Sequence, residues 1–367
     1  MKSLENERKV LQSIPDAMLK TLYEFPGQFQ AAEESIEKME LPFKKKFKNS
    51  LIIGMGSSTN VAYKLINSID IDKINIPVFL CSRPTIPSWV NDETLVVAVT
   101  HSGNSIEVIE AVDTALKAGA NLVAITTGGK LKEKALSDNR IMLVEYSVDI
   151  LSRMAVGCIY VFITNILKKA DALEICSKDR KHFLGIDWDE VEKALTRLSK
   201  DLSPDVSISR NIAKRAAINL FGNIPVIYGS SMLTGTIAYR LKSQICLNSS
   251  NFAHFNTIPE LDHDEIAAWG MGHDLRNKFF VLFINDKDSK EETLRRVEIL
   301  KGILFEKKIN FEEIILEGPN DAIKGFSGVL LADWISVYLA VMNKVDPTSS
   351  YLLDLMKSRF AKAGLPY

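Results

Sequence analysis

Cysteine is scarce in this 367-residue chain: Cys81, Cys158, Cys176 and Cys246 lie far apart and form no CxxC pair. That spacing argues against a zinc site or a dithiol redox motif and is expected of reduced thiols held in a core. No apolar run reaches the roughly 18 residues that suggest a membrane span. The opening MKSLENERKV places charges where a signal peptide needs an apolar stretch, so a cytoplasmic location is expected. Neither sign of charge is in excess. A formal net charge of −1 speaks against a general nucleic-acid or anionic-membrane binder. The segment Gly54-Met55-Gly56 lacks the third glycine of a dinucleotide fingerprint, and no GxxxxGK[ST] loop occurs, so neither nicotinamide nor nucleoside triphosphate chemistry is expected. The five histidines are scattered, and neither a metal nor any other cofactor is expected.

What remains is an ordinary globular composition, 46% hydrophobic and 25% charged, in a chain longer than one hydrophobic core usually serves. Apolar residues recur at helical spacing near the start, at Leu11, Ile14, Met18, Leu19 and Leu22. Short β-branched runs follow in SLIIGMGSS, INIPVFLCS, ETLVVAVTHSG, ANLVAITTGG and RIMLVEY, with helical stretches such as SIEVIEAVDTALKAG between some of them. After a polar stretch near 200 to 212 the same grammar restarts with NIPVIYGSS, TGTIAYRLKSQI, FFVLFIN and FEEIILEG. The expected class is α/β: two duplicated domains, each a parallel sheet between helical layers. The expected division is a helical segment over 1–45, a first domain over 46–200, a second over 201–345 and a closing helical segment over 346–367.

In open parallel sheets, ligands bind beyond the carboxyl ends of the strands, where loops expose amides and helix N-termini carry partial positive charge. Gly54-Met55-Gly56-Ser57-Ser58-Thr59 follows the first apolar run and Thr100-His101-Ser102-Gly103-Asn104-Ser105 the third. The second of these arranges hydroxyls around a glycine that permits close backbone approach, which suits a phosphate monoester. Such Gly/Ser turns are also frequent as plain punctuation before a helix.

Several motifs are more specific. THSGNSIEVIEA, LVAITTGGKL and ILSRMAVG in the first half, with RLKSQ, IPELDHDEIAAW, DWISVYLAVMNKVDPT and LMKSRF in the second, resemble the bifunctional phosphoglucose/phosphomannose isomerase family, which is built from two SIS (sugar isomerase) domains. The likeness runs from about residue 50 to 360. It implies that Gly56, Ser57, Ser58, Thr100, Ser102 and Ser105 bind the substrate anion and that Arg153 stabilises an enediolate. It further implies that His263 opens the sugar ring with help from Lys357, and that Thr348 lies near C2. A homodimer with the active site shared across the interface is also implied. Aldose–ketose isomerisation needs these residue types: an acid/base to open the hemiacetal, a base to move a proton between C1 and C2, and a cation beside the developing oxyanion. Taken alone, His263 reads as a solvated histidine among acids, Arg153 as a surface ion pair and Lys357 as a solvated helix lysine.

One departure stands out. The family continues RWKTQ with LNENSK, whose glutamate is the proton-transfer base, whereas here ungapped alignment of Gln244-Ile245-Cys246-Leu247-Asn248-Ser249 puts Leu247 at that position. A leucine cannot accept a proton. Four outcomes follow: Glu260 or Asp262 takes over, His263 serves as the base, the substrate differs (for example a C6-sulfonate sugar of the sulfoquinovose type), or the sugar phosphate is bound without turnover. A deaminase or deglycase acting on an amino-sugar phosphate is the further alternative, although ELDHDEI resembles the isomerase form of its motif.

Overall fold

The computed structural model describes every residue except 1–3, 5, 6, 44, 70–72, 174–185 and 365–367. Cys176 lies outside the described residues. The chain divides into two compact units, one of Gly27–Glu192 with Ser350–Tyr367 and one of Met1–Pro26 with Lys193–Ser349.

The first unit holds five strands, β1 (Asn49–Gly54), β2 (Val78–Cys81), β3 (Thr94–Val99), β4 (Asn121–Thr126) and β5 (Ile141–Glu145). They form one parallel sheet in the order β2-β1-β3-β4-β5. All six residues of β3 are buried, as expected of a central parallel strand covered on both faces. One face packs Leu51, Ile53, Val96 and Ala98 against Val108, Val112 and Leu116 of the helix Ile106–Lys117. The helix Val156–Lys169 is buried along almost its whole length. Gln28, from the helix Gln28–Glu37, holds its entry: Nε2 donates to the Met154 carbonyl at 3.1 Å, and Oε1 accepts from the Cys158 amide at 3.4 Å.

The second unit has β6 (Ile224–Gly229), β7 (His254–Thr257), β8 (Phe279–Asp286) and β9 (Asn310–Leu316), parallel throughout in the order β7-β6-β8-β9. Two long helices, Met232–Ser249 and Asp321–Asn343, pack on this unit and are tied by a fully buried bidentate pair, Arg240 to Asp333, with both N–O distances 2.8 Å. Among the described residues Asp321–Asn343 is the one helix long and apolar enough to cross a membrane by length and composition, and 94% of its apolar window is buried inside the protein. It is the core helix of this unit.

Both sheets are parallel and flanked by helices, as the α/β reading expects. β6 and β8 repeat the neighbour relationship of β1 and β3. The four-residue edge strand β7 is absent from the sequence reading because HFNT carries no run of β-branched residues and no residue of it is fully buried. The expectation of core thiols needs one correction. Cys81 and Cys158 are buried, but Cys246 is exposed on the outer side of the helix Met232–Ser249.

Candidate functional site

The strand order places a reversal between β1 and β3. From β1 the chain crosses to β2 on one side, while β3, β4 and β5 extend the sheet on the other. Gly54 and Val99, the last residues of β1 and β3, are register partners, so the turn at Met55 and the loop Thr100–Ser105 leave the same sheet edge side by side; Gly56–Thr59, expected as loop, form the first turn of a helix. Each runs into a helix, Gly56–Ile69 and Ile106–Lys117, and both N-termini therefore bring amides and positive dipole ends to the crevice.

Within the second loop the Thr100 and Ser105 hydroxyls meet at 3.0 Å. Ser105 stands at the N-cap, yet no side chain caps this helix, because the Ser105 hydroxyl is turned onto Thr100. Ser102 and Asn104 are exposed. Two interlocking glycines fix the loop. Gly103 has φ +69°, and a Cβ there would lie 1.7 Å from the Gly128 carbonyl oxygen; at Gly129, with φ +67°, a Cβ would lie 2.3 Å from the Ser102 carbonyl oxygen. Close approach lets the Leu131 amide donate to Gly103 O at 2.9 Å and the Thr127 hydroxyl to His101 O at 2.7 Å. Thus the TTGG turn after β4 supports the hydroxyl loop after β3.

His101 is half-buried, and its Nδ1 lies 3.1 Å from the Tyr146 hydroxyl. Burial pushes its pKa below the ordinary value. The ring therefore tends to the neutral form and adds less charge beside an anion than an exposed histidine would. Tyr146 is raised by burial and stays a neutral phenol able to donate.

Ser58 is buried, and its hydroxyl donates to the Ser152 carbonyl at 2.6 Å. The helix Gly56–Ile69 is thereby joined to the 3-10 turn Ser152–Met154, which carries Arg153. Gln28 grips the same turn through Met154 O. Sequence reasoning missed Gln28 because it lies far from any motif. Ser57 is half-buried and Gly56, with φ +78°, is exposed. Lys357 sits on the exposed helix Tyr351–Lys362 with its ammonium 4.0 Å from Asp354.

The other candidates belong to the second unit. Glu260 and His263 are exposed, Glu260 opening the 3-10 helix Glu260–Asp262 and His263 capping its C-terminus, before the 3-10 helix Glu265–Gly270. Asp262 accepts from Arg296 at 3.1 Å. Leu247 is half-buried near the end of the helix Met232–Ser249. The Thr348 hydroxyl donates to Asp346 at 2.6 Å in the turn after the core helix.

At the topologically equivalent crevice of this unit, between β6 and β8, the chemistry differs. The Thr234 hydroxyl accepts from the Ser230 and Ser231 amides at 2.8 Å each. Asp286, the last residue of β8, and Asp288 just beyond it take the buried Lys324 ammonium at 3.0 and 2.6 Å. Amides are satisfied internally and the carboxylates are neutralised, so YGSSMLTG matches GMGSS in place but not in its hydrogen bonding.

Residues 209–360 match the family model described as the bacterial phospho-glucose isomerase C-terminal SIS domain. A bifunctional phosphoglucose/phosphomannose isomerase of Caldicellulosiruptor bescii is 30% identical over 346 residues, covering 94% of this chain and 99% of the relative. One of Aquifex aeolicus is 30% identical over 349 residues, covering 95% and 99%. Among solved structures, a hypothetical protein of Thermus thermophilus superposes with a TM-score of 0.73 at 12% identity, over 97% of this chain and 93% of that one; at that identity the likeness speaks for the fold. The chain belongs to the bifunctional phosphoglucose/phosphomannose isomerase family.

Proposed function

We propose that this protein is an aldose–ketose isomerase acting on a 6-phosphorylated hexose, interconverting glucose or mannose 6-phosphate with fructose 6-phosphate. The observation that carries the reading is the pair of hydroxyl-bearing segments at the β1/β3 reversal, the first turn of the helix Gly56–Ile69 and the loop Thr100–Ser105 that leads into the helix Ile106–Lys117, in a chain of this family. The loop Thr100–Ser105 and the amides at the N-terminus of the helix Gly56–Ile69 hold the phosphate. Ser58, its proton spent on Ser152, acts on the Arg153 turn rather than on the anion directly. Arg153, charged at any working pH, stabilises the enediolate oxygen.

His263 opens the pyranose by taking the proton of the anomeric hydroxyl and protonating the ring oxygen, assisted by Lys357. A base then removes the C2 proton and returns it to C1 while a proton passes from O2 to O1. Leu247 supplies no such base. Among the acids of the ELDHDEI motif, Asp262 pairs with Arg296, Asp264 accepts from the Glu265 amide and Glu265 is held by three side chains. The Glu260 carboxylate is exposed and has no such bond among the described residues, so we assign it the proton transfer. A homodimer, a cytoplasmic location and a role for Thr348 near C2 complete the reading.

Replacement of the usual glutamate by Leu247 favours a second reading on the same scaffold, in which the C6 group is a sulfonate. A hydroxyl- and amide-lined anion site discriminates weakly between the two groups. Turnover assays with glucose 6-phosphate, mannose 6-phosphate and sulfoquinovose separate them. Isomerisation of a hexose 6-phosphate, lost by about 10²- to 10⁴-fold in Glu260→Gln, is the expected result; turnover of the sulfonate alone replaces the first reading with the second.

A further inference from the structure

Three residues outside the IPELDHDEIAAW motif, Tyr228, His254 and Asn256, hold the 3-10 helix that follows His263. β6 and β7 are in register with Tyr228 opposite Asn256, and His254 lies two residues before Asn256, on the same face of its strand. These three side chains converge on one carboxylate. Tyr228 Oη donates to Glu265 Oε1 at 2.5 Å, Asn256 Nδ2 donates to Oε2 at 2.7 Å, and His254 Nε2 lies 2.8 Å from the same oxygen. The Trp269 indole N–H, on the same 3-10 helix as Glu265, donates to Tyr228 Oη at 3.0 Å. One phenol thus both donates and accepts, and the segment 265–269 is fastened to the sheet face at two points. The Glu265 side chain is 17% exposed.

We propose that Glu265 is the positioning residue of the ring-opening step: clamped between Tyr228, Asn256 and His254, it fixes the start of the 3-10 helix Glu265–Gly270 and thereby the chain two residues upstream, where His263 caps the helix Glu260–Asp262. The assignment rests on the ring-opening role given to His263 above. With both oxygens already engaged by three neighbouring side chains, the carboxylate is not free to turn toward a substrate proton. It acts through geometry, and a small displacement of a catalytic group is enough to slow the chemistry. Replacing the carboxylate by an amide, as in Glu265→Gln, turns one of its two acceptor atoms into a donor facing donors. Tyr228→Phe removes the phenol that joins Glu265 to Trp269.

The test uses the full chain, with steady-state kinetics on glucose 6-phosphate and hydrogen exchange of the backbone amides. Glu265→Gln and Tyr228→Phe are each expected to lower kcat by about 10- to 100-fold with KM changed by less than about twofold, because the anion loops are untouched. In a His263→Ala background the same substitutions are expected to cost less than about a further twofold, as for residues acting through one group. Equal losses in both backgrounds, or an unchanged kcat, would overturn the clamp. Should His263→Ala keep full turnover, or the wild-type chain turn over no hexose 6-phosphate, the ring-opening reading falls while the clamp is still decided by exchange. Faster exchange over 260–270 alone in Glu265→Gln supports it, and unchanged exchange refutes it.

Discussion

The carbonyl oxygen of Gly128 occupies the space that a side chain on Gly103 would need, only 1.7 Å from an ideal Cβ. The hydroxyl loop after β3 and the glycine turn after β4 are therefore one construction, in which Gly103 and Gly128 are not equivalent. Gly103 also sits at φ +69°, whereas a Cβ on Gly128 would meet nothing within 4 Å. Gly103→Ala is expected to cost about 2 kcal/mol or more, from backbone strain and the clash together. It should also weaken binding of inorganic phosphate. Gly128→Ala should fall within about 0.5 kcal/mol of wild type. Thermal denaturation and phosphate titration of the two variants check this pair.

On the proposed reading, each hydroxyl of the loop Thr100–Ser105 gives one hydrogen bond to the anion. Ser102→Ala and Ser105→Ala should each weaken binding of a hexose 6-phosphate by about 1 to 2 kcal/mol. Ser105→Ala also frees Thr100 from its partner 3.0 Å away. Isothermal titration decides the point, and a double variant with wild-type affinity for every anionic sugar would rule out this pocket.

The Arg240–Asp333 pair is fully buried, so breaking it strands a charge. Asp333→Ala is expected to destabilise the second unit by about 3 to 5 kcal/mol. Replacing both partners with apolar residues, Arg240→Met with Asp333→Leu, should cost less than the single change, because no uncompensated charge remains. Denaturant titrations of the single and double variants test the ordering.

Burial pushes the Cys158 thiol up to about 12, and Tyr146 and Tyr228 are raised for the same leading reason. A group whose folded pKa lies above its unfolded one lends stability that is complete below the unfolded value and lost as pH rises toward the folded value. Stability should hold up to about pH 9 and decline between there and pH 12. Cys158→Ala should show a shallower decline over that window. Thermal midpoints measured across it provide the check, and equal slopes would show that Cys158 does not contribute.

Much of the fold was legible because its central strands are apolar runs with Gly or Pro punctuation. β3 and β8 read directly from VVAV and VLFI, and the hydroxyl loop followed from its place after a strand. β7 was not legible, since its four residues are polar or aromatic and its membership comes only from pairing with β6. The Glu265 clamp was hidden with it, because two of its donors lie on that strand. Gln28 and the Ser58–Ser152 bond were hidden for a related reason: contacts separated by 126 and 94 positions leave no periodicity to read. Cys246 looked like a core thiol by composition, and only its place on the helix Met232–Ser249 turned it outward.

Leu247 bears on mechanism most sharply. It is half-buried near the end of a helix anchored by Asn248 on Ser336 at 2.8 Å. Leu247→Glu should lower activity on the true substrate, because a carboxylate introduced there must be desolvated or protonated. A rise of about tenfold or more in turnover of glucose or mannose 6-phosphate, with unchanged folding, would instead identify position 247 as a vacated base site.

Proton NMR in D₂O tests the isomerase account most directly. With glucose 6-phosphate and the wild-type chain, solvent deuterium is expected at C2 of the aldose and C1 of the ketose as fructose 6-phosphate accumulates, and the exchange should collapse in Arg153→Ala. Binding of the sugar phosphate with no deuterium entering either carbon would contradict the account and leave a protein that holds the substrate without isomerising it.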